Sequence, residues 1–261
     1  MGVSVLVASY NCENYVEECL KCLLNQSYKD VEIIVCDDCS TDNTRTILRR
    51  YANEGKIILL EKRYLNNGAA QSRNNCLAVA TKEYVAVQDA DDYCTKERFE
   101  RQVAVLEKNP SFDFVSTGLQ KFYETGEKID IFPKKEIPTK DDFLFTIPFM
   151  HATTLFRREI LNRVNGYRIA WETRRGQDYD LFMRIFAAGG RGININEIHY
   201  FYRCFAGYTP RHAYKYRVGE FIIRYKGFKA LKLGFKSVPY IIKPLILGLI
   251  PQGIINKVTG H

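Results

Sequence analysis

Apolar and polar positions along the chain fall into short blocks whose period alternates between strand and helix. Val3-Ser4-Val5-Leu6-Val7-Ala8 is a nearly continuous apolar run, and Ser9-Tyr10-Asn11-Cys12-Glu13-Asn14 follows it as a polar loop. Over residues 15–25 the apolar positions Val16, Cys19, Leu20, Leu23 and Leu24 repeat at helical spacing. Residues 31–36 predict a second strand, Asp37-Asp38-Cys39-Ser40-Thr41-Asp42 a turn into the next helix, and residues 57–60 a third strand. After Asn66-Asn67-Gly68 the pattern predicts a helix over 69–79. A fourth apolar strand, Tyr84-Val85-Ala86-Val87-Gln88, then ends abruptly in Asp89-Ala90-Asp91-Asp92. Apolar strands alternating with helices across short connections describe an α/β fold, a Rossmann-like, mostly parallel sheet covered on both faces.

The second half is less regular. A helix is expected over 96–108, Asn109-Pro110 breaks it, and residues 112–115 start another strand. Residues 118–150 are punctuated by Gly118, Gly126, Pro133, Pro138 and Pro148, which suggests short strands and a small helix near 141–145. Residues 151–156 read as a strand, Asn165-Gly166-Tyr167 as a turn, 176–186 as an amphipathic helix, and 195–202 as the closing strand.

Charge changes this picture only at the end. The formal charge is +8 over 261 residues, but from Arg203 onward eleven Lys or Arg stand against one acid, Glu220, so the part before it carries about −2. Between 211 and 236 basic and aromatic residues interleave, and 238–255 is apolar with Lys243 alone charged. The tail's longest uncharged run, 244–256, is too short to span a bilayer and contains Pro251. A basic amphipathic segment beside a short apolar one suits an anionic membrane surface, each basic residue adding about 1 kcal/mol. Packing on the body, or a homodimer contact, is the competing use. No basic n-region or cleavage site precedes the first strand, so no signal peptide is expected.

Eight cysteines include Cys19-x-x-Cys22 and Cys36-x-x-Cys39, at near zinc-ribbon spacing. Cys19 and Cys22 fall on the apolar face of a helix, whereas Cys36 and Cys39 bracket two acids at a strand end. Reduced thiols in a cytoplasm are the better reading.

Three carboxylates within four residues, at the carboxyl end of a buried strand, sit where open α/β sheets hold ligands. They repel one another unless a hard divalent cation, Mg²⁺ or Mn²⁺, is shared with substrate phosphates; the bland alternative is an acidic turn that solvates the strand end. No Gly-x-Gly-x-x-Gly follows the first strand and no P-loop exists, which argues against dehydrogenases and P-loop enzymes. A sugar-1-phosphate nucleotidyltransferase would carry a glycine-rich basic loop where Ser9 to Asn14 stand. A nucleic-acid binder would not place acids in its cleft.

With these motifs in order, residues 3–203 resemble the family 2 glycosyltransferases, inverting, metal-dependent enzymes of the GT-A fold, here of the bacterial surface-polysaccharide type. Ala8-Ser9-Tyr10-Asn11 resembles the family's opening Pro-Thr/Ser-Tyr-Asn, with Ala8 for proline. Asp37-Asp38-Cys39-Ser40-Thr41-Asp42 resembles Asp-Asp-Gly-Ser-Thr-Asp, with Cys39 for glycine. The resemblance implies nucleotide contacts from Ser9, Tyr10, Asn11, Asp38, Arg73, Asp89 and Ala90. It makes Asp38 the acceptor from the uracil ring and brings Arg73 to the pyrophosphate. Asp89-Ala90-Asp91-Asp92 is similar to the Asp-x-Asp metal motif, with Asp91 the direct ligand of Mn²⁺ or Mg²⁺ and Asp89 or Asp92 assisting.

Gln177-Asp178 stands where the family has two acids, which makes Asp178 the general base and leaves Gln177 without a charge. The ordinary use of an aspartate early in a helix is a cap. Arg203 corresponds to the closing Tyr-Arg beside the donor phosphates, His151 is a candidate for the sugar pocket, and Trp171, by adjacency, for the acceptor subsite. The expected organisation is a GT-A domain over 1–203, nucleotide-binding over 1–95 and acceptor-binding over 96–203, with a helical appendage over 204–261. The implied function is transfer of a sugar from a UDP-sugar to a hydroxyl of a glycan or polyprenyl-linked acceptor. The protein would act as a peripheral protein of the inner membrane face in polysaccharide synthesis. A non-catalytic nucleotide-sugar-binding module is the alternative.

Overall fold

The computed structural model describes residues 1–61, 66–205 and 214–249. In chain order it forms β1 (Val3–Ser9), α1 (Val16–Leu24), β2 (Val31–Asp37), α2 (Thr44–Asn53), β3 (Ile58–Glu61), α3 (Ala69–Val79) and β4 (Tyr84–Asp89). Then follow β5 (Tyr93–Cys94), α4 (Arg98–Lys108), β6 (Phe114–Tyr123), β7 (Lys128–Ile131), β8 (Leu155–Arg157), α5 (Arg158–Arg163), α6 (Gln177–Ala187) and β9 (Gly192–Cys204). The helices α7 (Tyr214–Ala230) and α8 (Val238–Leu249) come last. The strands make one sheet in the order β3-β2-β1-β4-β8-β6-β9-β5, with β7 paired to β6. The first four strands are parallel. Beyond them β8 runs antiparallel between β4 and β6, so the sheet is parallel in its N-terminal half and mixed in its C-terminal half.

Alternation along β1 divides the core. Val3, Val5 and Val7 face α1, α2 and α4, burying Leu20, Leu48 and Phe99; Leu6 faces α3, α5, α6 and α7, with Phe156, Phe182 and Phe228. Both faces of the parallel strands are therefore apolar, which is why they read as continuous runs rather than alternating ones.

The segment 151–156, expected as a strand, is a 3-10 turn at His151–Thr153 followed by the short β8. The hydroxyls of Thr153 and Thr154 both donate to the Met150 carbonyl, at 2.9 and 3.0 Å, and fold the backbone back on itself before it can extend. The strand expected to start at 112–115 runs ten residues as β6, and pairs with the thirteen-residue β9 through a register shift at Gly118. A Cβ at Gly118 would lie 3.0 Å from the Ile131 carbonyl, so a side chain there would push on the β7 backbone.

The inner face of α7 is part of the core. Ile223 and Phe228 are buried with α6, and glycines permit the close approach: a Cβ on Gly219 would stand 2.9 Å from the Glu172 carbonyl, and one on Gly227 2.3 Å from Met183 Sδ. Lys226 adds an ion pair to Glu172 at 2.9 Å. Pro244 is buried within α8, whose outer residues Val238, Ile242, Ile246 and Leu249 are exposed. Arg211 and the apolar stretch from 250 lie outside the described residues. Among the described residues no helix is long and apolar enough to cross a membrane.

Candidate active site

The carboxyl ends of β1, β2 and β4 meet at one edge of the sheet, the position at which open α/β sheets hold ligands. The loop after β1 is stapled to the loop after β2. The Asp38 amide donates to the Ser9 carbonyl (2.8 Å), the Asn11 amide to Ser40 Oγ (3.0 Å), and the Thr41 amide to Asn11 Oδ1 (2.8 Å). Asn11 adopts φ +46°, which asparagine tolerates better than most residues, and the side chain of Tyr10 is exposed. Cys39, standing where the family has glycine, keeps the left-handed φ of +69° that glycine would supply, so the turn is preserved at some strain. Ser9 is buried, its hydroxyl 3.4 Å from Cys12 Sγ. Asp37 is held by Arg45 through two bonds of 2.9 and 3.0 Å. Buried Asp38 accepts from the amides of Asn67 and Gly68, at 3.2 and 2.7 Å, and so fixes the start of α3.

On α3, Arg73 is buried against the acidic loop. Its Nη2 meets Asp89 Oδ1 at 2.5 Å, while its Nε and Nη1 are buried without a hydrogen-bond partner among the described residues. An orphaned guanidinium edge at a cleft is costly unless a ligand oxygen accepts from it. Ala90 is buried between the acids. Asp92 accepts from the Tyr200 hydroxyl (2.8 Å) and the Arg203 amide (2.7 Å), so both of its oxygens are used in holding the loop to β9. Burial pushes its carboxyl up to about 8, with the charges of Asp89 and Asp91 adding to the shift. Asp91 is likewise raised, first by burial and then by Asp89.

Asp91, whose carboxylate lies outside the clamp on β9, is the acid of this loop that could ligate a hard divalent cation completed by phosphate oxygens. Among the described residues no three His, Cys, Asp or Glu side chains converge on one metal position, so a protein-only cage is not what is built here.

Arg203 does not extend freely toward a donor. Its Nε donates to the Asp91 carbonyl (3.0 Å), its Nη2 pairs with Glu18 (2.6 Å), and its guanidinium lies between the rings of Tyr15 and Phe122, at 4.5 and 4.6 Å. The residue positions the acidic loop.

Asp178 lies in the first turn of α6 and accepts from the Tyr179 amide at 2.8 Å. Half-buried, it is near enough to Arg73 and Asp89 to feel the charges of both. Desolvation raises its carboxyl above the usual range, partly offset by the helix-start amides and then by Arg73. Tyr167 lies between them, its ring 5.9 Å from the Arg73 guanidinium and its hydroxyl 2.8 Å from His151 Nε2. Burial, then Arg73, holds His151 well below the usual histidine range, so the ring is neutral. His199 bonds Thr95 and Glu197 instead.

The segment 172–178 divides two cavities. Trp171 and Gln177 line one of about 250 Å³ together with Asn67 and Gly68, beside the loop held by Asp38. Asp178 lines the other, of about 360 Å³, whose far wall is α7. Adjacency in sequence thus grouped Trp171 with Asp178, and the helix start separates them.

Sequence reasoning missed Tyr200, whose hydroxyl accepts from the Asp89 amide (3.1 Å) and donates to Asp92, and Arg98, fully buried beneath it, 5.0 Å from its ring and bonded to Gln88 and the Val87 carbonyl. Tyr200 and Tyr202 at alternate positions of β9 were the available signal. Nothing in the pattern around Arg98 marks it as buried.

Comparisons agree with this geometry. The model of the family described as "Glycosyl transferase family 2" matches residues 4–164. EpsE of Bacillus subtilis, a protein named as a glycosyltransferase, is 37% identical over 98% of this chain and 92% of its own length. The UDP-Glc:α-D-GlcNAc-diphosphoundecaprenol β-1,3-glucosyltransferase WfaP of Escherichia coli is 28% identical over 82% of this chain and 81% of its own. In fold, the chain superposes on TarS of S. aureus in complex with UDP with a TM-score of 0.72, covering 94% of this chain and 71% of that one at 21% identity. With the motifs in order, the cleft at the strand ends and a family match over more than half its length, the chain belongs to glycosyl transferase family 2 and is a glycosyltransferase.

Proposed function

We propose that the protein moves a sugar from a UDP-sugar to a hydroxyl of a lipid-linked glycan acceptor, with inversion, in surface-polysaccharide synthesis. The observation that supports this reading is the orphaned edge of Arg73 beside the acidic loop, a place for diphosphate oxygens, with Asp178 close enough for the charges of Arg73 and Asp89 to act on its carboxyl. Residues 1–95 hold the donor, with Asp38 and the Ser9–Asn11 loop toward the nucleoside and Arg73 toward the diphosphate. Residues 96–203 carry the acceptor side. Asp178 takes the proton from the acceptor hydroxyl as that oxygen attacks the anomeric carbon and the bond to the UDP oxygen breaks. One displacement inverts the centre. Asp91, with Asp89 beside it, would hold Mn²⁺ or Mg²⁺, which neutralises charge growing on the leaving diphosphate. Asp92, spent on Tyr200 and Arg203, shapes the loop.

The names of WfaP and TarS support the donor class, and that of WfaP an acceptor of the sugar-diphospholipid kind. The exposed stripe Val238, Ile242, Ile246 and Leu249, with exposed Phe235 and with Lys232, Lys236 and Lys243 around it, supports contact of α8 with an anionic membrane at the cytoplasmic face.

The test is transfer from a panel of UDP-sugars to a synthetic decyl-diphospho-GlcNAc, with the product anomer read by NMR. Wild-type protein is expected to give one inverted product, and Asp178→Asn to lose about 10²-fold or more in kcat. Full activity of that variant, or a retained anomer, overturns the assignment.

A further inference from the structure

Two consecutive residues of α3 take hold of one residue from the second half of the chain. Arg73 faces the Tyr167 ring at 5.9 Å, and the Asn74 carboxamide binds the Tyr167 backbone at both ends. Its Oδ1 accepts from the Tyr167 amide at 2.8 Å and its Nδ2 donates to the Tyr167 carbonyl at 2.7 Å. The opposite amide orientation would satisfy neither bond. His151 supplies a third hold through the Tyr167 hydroxyl, and Tyr167 is buried. The turn that delivers it has two left-handed residues in a row, Asn165 at φ +55° and Gly166 at φ +59°. Glycine is required at the second for more than its φ, because a Cβ there would stand 2.5 Å from Asn74 Oδ1.

The other side of this turn is held by α6. Arg184 donates from Nη1 to the Val164 carbonyl at 2.6 Å and from Nη2 to the Gly166 carbonyl at 2.7 Å, while its Nε meets Asp180 Oδ2 at 2.7 Å. Asp180 and Arg184 stand on the helix that carries Asp178 in its first turn. A continuous series of directed bonds therefore runs from the helix of Arg73, through residues 164–167, to the helix of Asp178.

We infer that Asn74 is a positioning residue for transfer: by clamping the 164–167 turn between α3 and α6 it sets the separation of Arg73 and Asp178, and with it that of the diphosphate and the attacking hydroxyl. The inference rests on the transferase reading above, in which Arg73 meets the diphosphate and Asp178 is the base, and it names what holds the donor and acceptor halves in register. Displacing reacting groups by about 1 Å costs up to about 10²-fold in rate. The clamp therefore matters more for turnover than for binding of either substrate alone.

The experiment is a double-mutant cycle of Asn74 with Asp178, read as kcat for transfer or, with water as the acceptor, for hydrolysis of the UDP-sugar. Asn74→Ala is expected to lower kcat by about tenfold while the Kd for UDP with Mn²⁺ stays within about twofold. In the Asp178→Asn background, where no base is left to place, the same change should have little further effect. Asn74→Asp keeps the size and the acceptor but cannot donate to the Tyr167 carbonyl, so it should follow alanine. UDP titration counts the folded protein in each case. Arg184→Lys, which loosens the turn from the α6 side, should repeat the pattern and keeps the test open if neither Asn74 variant folds. A loss of the same factor in both backgrounds, or wild-type kcat in these variants, overturns the inference and leaves the transferase reading standing. Full activity of Asp178→Asn alone removes the base, and the inference with it. Where no UDP-sugar is turned over, hydrogen exchange decides. Slower exchange over residues 164–187 on adding UDP and Mn²⁺, lost in Asn74→Ala while slowing over α3 remains, supports the clamp. Slowing that is unchanged in the variant, or that in wild type does not extend beyond α3, overturns it.

Discussion

The Arg73 Nη2 and the Asp89 Oδ1 meet at 2.5 Å, and that pairing leaves Nε and Nη1 of the same guanidinium buried with no acceptor among the described residues. A buried donor without a partner costs about 1–3 kcal/mol, a penalty that a diphosphate oxygen would remove. Arg73→Gln is therefore expected to raise the Kd for UDP by about tenfold or more while leaving that for uridine unchanged. Equal weakening of both ligands in a titration would place Arg73 outside the diphosphate site.

The pH dependence follows from Asp178. Burial disfavours its charged form and the helix-start amides only partly offset this, so its folded pKa lies above the usual carboxylate value. A base must be ionised before it accepts a proton. Acceptor kcat/KM should accordingly fall as pH drops through an apparent pKa above the ordinary aspartate range, and level off on the alkaline side. A profile flat from pH 4 to 8 would contradict Asp178 as the base.

Arg203 acts on the acidic loop through its backbone amide to Asp92 and its Nε to the Asp91 carbonyl. Lysine can keep neither both ring contacts nor the directed Nε bond. Arg203→Lys should weaken metal-dependent UDP binding by about fivefold to tenfold, with a smaller effect on UDP measured without metal. Equal effects in both conditions would make Arg203 a direct donor contact instead.

Stability of the α7 wall is testable at Gly219, where the neighbour of any new Cβ is the rigid Glu172 backbone at 2.9 Å. Gly219→Val is expected to destabilise the protein by about 1–3 kcal/mol, read as a lower denaturation midpoint, although a side chain in an isolated helix would favour it. An unchanged midpoint would mean that α7 is not held as described.

What the sequence made legible is what short-range pattern controls. Apolar runs ending in polar loops located β1, β2 and β4 within a residue or two, and the acidic cluster after β4 marked the cleft because three like charges at a strand end are hard to explain otherwise. The turn into α2 was legible too, though not that Cys39 would keep the left-handed φ of +69° there. Long-range pairing was not. Thr153 and Thr154 have the composition of a strand, yet their hydroxyls bond Met150 and turn the chain. Tyr200 and Arg98 matter through partners more than a hundred, or ten, residues away, which no local window reveals. Composition left the tail helices two uses, a membrane surface or packing on the body, and it is Gly219 and Gly227, weak helix formers, that allow α7 to enter the core.

The central claim, a UDP site completed by a divalent cation at Asp91, is most directly tested by calorimetric titration of UDP with and without Mn²⁺, on wild-type protein and on Asp91→Asn. The account predicts binding that depends on Mn²⁺ and is lost in the variant. Equal binding without metal or in Asp91→Asn, or no binding of UDP in any condition, would contradict it.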